Sequence, residues 1–287
     1  MTIYNLGSIN ADYVYDVPHL PAGGETIAAT AHRVGLGGKG ANQSVAARLA
    51  GAEVRHIGAV GADGRWAVER LRGFGVDVAH VAEVAGPTAH AIINVDPQGE
   101  NMIVLLAGAN ALQDEARIGA ALADAGPGDT LLLQNETTCQ LSAAQRARAC
   151  GMRVIYSAAP FQAEAVKQML PLTTILVLNE VEAAQLSDTL GGQMLPDMIV
   201  TRGARGASWA VRGGETVEIP AFAVEAVDTT GAGDCFIGSV AFCLDLGMGR
   251  EEALRYGAAA AALQVSRPGT ADAIPTRDEV LAFLGRA

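Results

Sequence analysis

The sequence predicts an α/β protein, with helices on both faces of a mostly parallel β-sheet. Two patterns carry that expectation. Short apolar runs alternate with stretches of helical spacing along most of the chain. The apolar share, 50% of 287 residues, is enough for a sizeable core, and Ala, alongside 34 Gly, is abundant, as expected where helices pack closely on a sheet. Length and continuity fit one domain over 1–287, without internal repeats or low-complexity linkers.

Taken in order, Ile3–Gly7 reads as the first strand, followed by strands at Val54–Val60, Thr130–Gln134, Arg153–Ser157, Thr174–Leu178 and Met198–Thr201. Helical spacing falls between them at Asn42–Leu49, Trp66–Phe74, Ser142–Ala149 and Glu180–Leu186. The last third is helical over Cys235–Leu246, Arg250–Val265 and Thr276–Leu284. Two segments, about 11–33 and 88–106, break the rhythm with extended, turn-rich sequence. Gln98-Gly99-Glu100 reads as a hairpin turn between Ala91–Val95 and Met102–Leu106. These segments predict either a small antiparallel lid or plain surface hairpins. A small sheet with free edges also predicts a homodimer joined through the lids, with Ala28, Ile92, Ile93 and Val95 as candidate contacts.

The net charge of −11 argues against a general nucleic-acid binder but leaves room for a local phosphate site. No run of about 18 apolar residues predicts a membrane span. Met1–Ser8 lacks a basic leader and reads as a strand. Four cysteines without a C-x-x-C pair predict reduced thiols in the cytoplasm, and five scattered histidines predict no zinc site.

Four clusters point to chemistry. Gly35-Leu36-Gly37-Gly38-Lys39-Gly40 matches G-x-G-x-x-G, but it lies about thirty residues beyond the first strand, and Val54–Val60 ends without an acid. A nicotinamide site is therefore disfavoured, and with no P-loop pattern the segment reads as a platform on which Lys39 and Asn42 offer donors to hydroxyl groups. Asp228-Thr229-Thr230-Gly231-Ala232-Gly233-Asp234 precedes a helix, so the backbone N–H groups from Gly231 to Asp234 predict an anion hole. Asp234 is the candidate base, placed among free N–H groups that favour its ionised form; the plainer reading is a helix cap. Glu182, just after a strand, is a candidate Mg²⁺ ligand through water, or a solvated first-turn acid. Thr201-Arg202-Gly203-Ala204-Arg205-Gly206 is a Gly-rich loop whose backbone and cations suit nucleotide phosphates, or a tight turn with two surface arginines.

Together with Gly7-Ser8-Ile9-Asn10-Ala11-Asp12, Gly24-Glu25-Thr26 and Gly37-Gly38-Lys39-Gly40-Ala41-Asn42-Gln43, the Asp228–Asp234 signature resembles the ribokinase family of PfkB-type sugar kinases over nearly the whole chain. The resemblance implies a three-layer sandwich with a small antiparallel β lid, and ATP-dependent phosphorylation of a sugar's primary hydroxyl. It lies nearer to the ribose-using members than to those using fructose or adenosine. Another sugar or nucleoside, or a non-catalytic sugar-binding role, is the alternative. It implies that Asn10, Asp12, Gly38, Lys39, Asn42 and Glu136 bind the sugar, with Asp234 as base and Gly231, Ala232 and Gly233 as the anion hole. It implies that Asn179, Thr201, Gly203, Gly206 and Gly233 hold ATP, that Glu182 orders Mg²⁺, and that Asp228, Thr230, Gln264, Arg267 and Gly269 form a K⁺ site. Three departures stand out. Ser187–Asp197 is shorter than in typical members, Ala258 replaces an Asn or His beside the adenine, and Ala273 replaces a Ser near the monovalent ion.

Overall fold

The computed structural model describes residues 1–190 and 195–286. Strands are β1 (Thr2–Leu6), β2 (Asn10–Asp16), β3 (Ala31–Gly37), β4 (Glu53–Val60), β5 (Asp77–Glu83), β6 (Ala89–Val95), β7 (Asn101–Leu106), β8 (Thr130–Gln134), β9 (Arg153–Ser157), β10 (Ile175–Asn179), β11 (Asp197–Thr201), β12 (Ala207–Ala210) and β13 (Thr216–Ile219). Helices are α1 (Lys39–Ala50), α2 (Arg65–Gly73), α3 (Glu115–Ala121), α4 (Gln140–Ala149), α5 (Ala163–Met169), α6 (Glu180–Leu190), α7 (Ala232–Asp245), α8 (Arg250–Val265) and α9 (Arg277–Leu284).

Among the described residues these strands form two sheets. The larger runs β13-β12-β11-β10-β9-β8-β1-β4-β5, parallel from β11 to β5, with β12 and β13 added antiparallel at one edge. Its central strands are mostly apolar, as in Leu131–Leu133 and Leu176–Leu178, because both faces are covered. One face packs against α1, α2, α7, α8 and α9, and the other against α3, α4, α5 and α6. This is the expected α/β sandwich of three layers. Chain order reverses between β1 and β8, which opens a crevice at their carboxyl ends.

Helix α1 shows how sequence makes the layer. Gly38, at φ 92°, lets the chain turn from β3 straight into the helix. The Ala-rich run Ala41, Val45, Ala46, Ala47 and Ala50 is fully buried, thin enough for α7 to approach closely. Gly51, left-handed at φ 118°, ends the helix, and the Ala52 N–H returns to the Ala47 carbonyl at 3.0 Å. On α7, Phe236, Val240 and Phe242 pack into the same core, each contributing about 2 kcal/mol by burial.

The second sheet has the order β3-β2-β6-β7. It corrects the expectation of an antiparallel lid. The β2–β3 and β6–β7 pairs are antiparallel, but β2 and β6 run parallel, so the sheet is mixed. The reason is connectivity: β2 and β6 each leave the main sheet in the same direction, from the ends of β1 and β5. The β6–β7 turn is as expected, with Gly99 at φ 82° and the Asp96 carboxylate accepting the Gln98 and Glu100 N–H groups at 2.9 and 3.0 Å. The first extended segment reaches further than 11–33, since β3 continues to Gly37. Strands β5, β12 and β13 and helices α3 and α5 were not legible in the sequence, being short elements or half-exposed edges. Of the shortened Ser187–Asp197 stretch, residues 191–194 lie outside the described residues.

Candidate active site

The crevice between β1 and β8 is where the predicted residues converge. Strand β1 ends at Leu6 and delivers Ser8; β8 ends at Gln134 and delivers Glu136. The Ser8 hydroxyl donates to Glu136 Oε2 at 2.5 Å, and the Lys39 N–H donates to the same oxygen at 3.1 Å. The first turn of α1 is thereby tied to both strands. Gly40 makes this possible, because a Cβ there would lie 2.4 Å from Gly7 Cα and from Ser8 N.

Asn10 and Asp12, two residues apart on β2, share the face of the small sheet that looks onto this platform. Asn10 Oδ1 accepts from Asn110 Nδ2 at 2.8 Å, while Asn110 Oδ1 takes the Ile9 N–H at 3.1 Å. Burial, with Glu136 nearby, pushes Asp12 up to about 7. The neutral carboxyl is thus accessible near physiological pH and can both donate and accept. Asn10, Asp12, Gly38, Lys39, Asn42 and Glu136 form one polar cluster around the α1 N-terminus.

Asp234 lies in the first turn of α7, 8% exposed. Its Oδ1 accepts from Gln43 Nε2 at 3.0 Å and its Oδ2 from Asn42 Nδ2 at 3.4 Å. Gly231, at φ 79°, occupies the N-cap without a side-chain cap bond, so Asp234 is not the helix cap. The expected effect of free N–H groups on its ionisation is corrected too. Burial dominates and raises it to about 6, against the pull of Lys39, Gln43 and Asn42. Lys39 would be lowered by burial, but Asp234, Glu136 and Glu182 together raise it. It is the cation among these carboxylates, and it stays charged.

From Lys39 and Asp234 a cavity of about 840 Å³ opens along α7. Asn179, Glu182, Thr201, Gly203, Gly206, Gly231, Ala232 and Gly233 all line it. Asn179 and Glu182 hold each other: the Asn179 N–H donates to Glu182 Oε2 at 2.8 Å, and the Glu182 N–H donates to Asn179 Oδ1 at 2.9 Å. Burial raises Glu182, partly offset by that N–H and by Lys39. The arginines of the Gly-rich loop do not face the cavity. Arg202 pairs with Glu218 at 3.1 Å and Arg205 pairs with Glu180, so the loop offers its backbone alone. Toward α8 the lining becomes apolar: Phe222, Val224, Ala258, Ala261, Ala262 and Val265.

Beside the anion-hole turn, Asp228 accepts the Thr230 N–H at 2.9 Å and the Gly269 N–H at 3.1 Å. Gln264 Nε2 donates to the Thr230 and Gly269 carbonyls at 2.8 and 3.3 Å, and Gln264 Oε1 is buried without a partner. Arg267 reaches this turn through its N–H, which donates to the Gln264 carbonyl at 3.1 Å, while its guanidinium pairs with Glu279. Sequence reasoning assigned no part in the site to Ser8, Asn110 or Gln134. Asn110 and Gln134 lie about a hundred residues from what they contact and carry no local signal. Gln43, adjacent to Asn42, could have been found from α1 spacing.

Residues 2–277 match the profile of the pfkB family carbohydrate kinases. The chain is 36% identical over 305 residues to a ribokinase of Haemophilus influenzae, covering 100% of this chain and 99% of that one. Its fold is similar to the crystal structure of a ribokinase from Thermotoga maritima, with TM-score 0.88, 33% identity and 99% of each chain covered. It is similar as well to an Arabidopsis thaliana ribokinase complexed with ribose and ATP, with TM-score 0.85, 29% identity and 98% of each chain covered.

Proposed function

The chain belongs to the pfkB family of carbohydrate kinases, and on that premise we propose that it transfers the γ-phosphoryl group of ATP to the 5-hydroxyl of D-ribose. One observation carries the reading: the Asp234 carboxylate and Lys39 stand between the polar cluster of Asn10, Asp12, Asn42 and Glu136 and the cavity over the Gly231–Gly233 turn. A hydroxyl acceptor in the cluster and a triphosphate donor in the cavity would meet there.

Ribose fits the polar cluster, whose carboxylates and amides match a ring of hydroxyls. A site built on such bonds rejects an analogue lacking one hydroxyl by up to about 10⁴-fold. ATP fits the cavity, with its phosphates toward Thr201, Gly203, Gly206 and the α7 N-terminus and its base in the apolar end beside Ala258. Asp234 takes the proton of the 5-hydroxyl as the new O–P bond forms and the bond to the leaving β-phosphate oxygen breaks, releasing ADP. The N–H groups of the Gly231–Asp234 turn stabilise the charge on the transferring group, and Lys39 adds a cation beside it.

Glu182 would hold Mg²⁺ through water; a single carboxylate ligand from the protein suits an ion bound chiefly by nucleotide phosphates, whose charge it would neutralise when bound. The buried, unpartnered Gln264 Oε1, with the Thr230 and Gly269 carbonyls converging on its side chain, fits a K⁺ site together with Asp228 and Arg267. An ion there braces the anion-hole turn, and equal rates in potassium and in a bulky organic cation overturn it.

The whole of 1–287 acts as one catalytic unit, with the small sheet as a lid excluding water. The lid's apolar outer surface supports a homodimer. Free thiols at Cys139, Cys150, Cys235 and Cys243 fit the reducing cytoplasm. Among the described residues no helix is long and apolar enough to cross a membrane.

A coupled assay of ADP release over pentoses, hexoses and nucleosides tests the assignment. Ribose is expected to give the highest kcat/KM. Robust turnover of fructose or adenosine with none of ribose moves the chain to another member of the family.

A further inference from the structure

Behind Asp234 runs a chain of buried amides that the phosphoryl-transfer reading leaves unused. Gln43 Nε2 donates to Asp234 Oδ1 at 3.0 Å, and Gln43 Oε1 accepts from Gln134 Nε2 at 2.8 Å. Gln134 Nε2 also donates to Asn5 Oδ1 at 3.0 Å. Asn5 Nδ2 in turn donates to the Gly40 carbonyl at 2.8 Å and to Ser44 Oγ at 2.9 Å. Asn5, Gln43 and Gln134 are each 0% exposed.

The direction of this chain is determined at its far end. A backbone carbonyl only accepts, so Asn5 must turn its NH₂ toward Gly40 and its oxygen toward Gln134. Gln134 must then present its NH₂ to both Asn5 and Gln43. Gln43 must accept with its oxygen, which leaves its NH₂ for the carboxylate. Buried His56 supports the same direction. Its Nε2 faces the Gly7 carbonyl at 3.2 Å and so carries the proton, leaving Nδ1 to accept from Ser44 Oγ at 2.8 Å. Ser44 Oγ is then free to accept from Asn5. Flipping Gln43 would set two oxygens against each other at Asp234.

We propose that Gln43, locked by Gln134, is a positioning residue that keeps Asp234 ionised and aimed by permitting only a donor at its Oδ1. The inference rests on the reading of Asp234 as the base. A protonated carboxyl accepts from such a donor only a neutral hydrogen bond, whereas a buried carboxylate gains the stronger charge-assisted one, so the donor favours the ionised form. Other groups act on the same carboxylate. Lys39 on α1 favours its ionised form, and Glu136 beyond β8 opposes it. The Cys235 thiol, next on α7, is pushed up to about 12 by burial and stays neutral.

The test is the pH profile of kcat at saturating ribose and Mg·ATP, for the wild type, Gln43→Met, Gln43→Glu, Gln134→Met and Asp234→Asn. Gln43→Met keeps length and removes the donor, so its acidic limb should move up by about one pH unit, costing about tenfold more kcat on the acidic side than on the alkaline side. Gln43→Glu, which sets a second carboxyl against Asp234, should shift further. Gln134→Met should shift the same way by less, since Gln43 keeps its place but loses its lock; it carries the test should neither Gln43 variant fold. The KM for ribose should move less than kcat in all three. A uniform loss of kcat with an unshifted profile means Gln43 is only a packed amide and overturns the proposal. Should Asp234→Asn keep wild-type kcat, the base assignment itself fails; should it lose kcat while the glutamine variants keep the wild-type profile, the positioning role alone fails.

Discussion

Ionised Asp234 is held in the fold at a cost. Its pKa is about 6, pushed up by burial, while an unfolded aspartate titrates near 3.9. Between those values the folded chain binds more protons than the unfolded one, so the cost is present above pH 6 and fades as pH falls through it. Asp12, raised by burial to about 7, has the same sign. Buried His56, lowered by burial to about 4, has the opposite sign: unfolding lets it protonate, so stability is lost as pH falls through about 6.5. Comparing wild type with Asp234→Asn removes the contributions the two share. The variant should lose kcat by about 10²–10⁴-fold. It should also melt a few degrees higher near pH 8, from a relief of at most about 3 kcal/mol, and the gain should vanish near pH 4. Melting curves and kcat across pH check both, and a Tm difference independent of pH contradicts the buried-carboxylate account. Such a trade of stability for chemistry is expected where a charge is buried for use. Of these residues, Asp234, Lys39 and Asn42 were legible because a glycine cluster at a helix start has few other uses. Gln134 and Asn110 were not, because an amide in a chain says nothing of what it will face.

At the element scale the site depends on how closely α7 lies against α1. Gly238 sets that approach: a Cβ there would sit 2.4 Å from the Gln43 carbonyl oxygen and 2.7 Å from Ala46 Cβ. Alanine in place of glycine favours a helix by about 1 kcal/mol. Here the clash is with backbone, which cannot rotate away, so the clash wins. Gly238→Ala should lower stability by about 1–3 kcal/mol. It should also lower kcat more than it raises the ribose KM, because α7 carries Asp234 away from Gln43 and Asn42 while the sugar platform stays on α1. Unchanged Tm and kcat would show that the helices part without consequence. The elements legible in sequence were those with a full period to show, such as β8, β9 and α8, whose predicted bounds match the observed ones. Strands β12 and β13, four residues each at one end of the main sheet, are too short for alternation to stand out, and pairing with a neighbour makes them strands.

For the whole molecule, the small sheet leaves apolar surface that the chain does not cover. Val34, Ile92 and Val104 lie in register with Tyr13 across the four strands and are 44%, 40% and 58% exposed, beside Met102 and Leu106 on the same face of the edge strand. Of the contacts expected from sequence, Ala28 and Ile92 are exposed, while Ile93 and Val95 are half-buried. A patch of this kind with a free edge favours pairing with a second copy. Light scattering at micromolar concentration should give twice the chain mass, and Ile92→Asp with Val104→Asp should give a folded monomer with a raised ribose KM. A wild-type monomer with full activity removes the dimer.

From its sequence alone, this chain declares an α/β fold, a ligand platform and an anion hole, because these are written in local pattern: strand and helix periods, and glycines where backbone must approach a ligand; the sugar-kinase reading comes from the resemblance of its motifs to a known family. The tertiary structure decided what depends on residues far apart in the chain. It made the lid sheet mixed, because two strands leave the main sheet in the same direction. It turned Arg202 and Arg205 away from the cavity to partners on neighbouring segments. It raised Asp234 instead of lowering it, because burial is a property of everything packed around a carboxylate and outweighs the few N–H groups its own helix supplies.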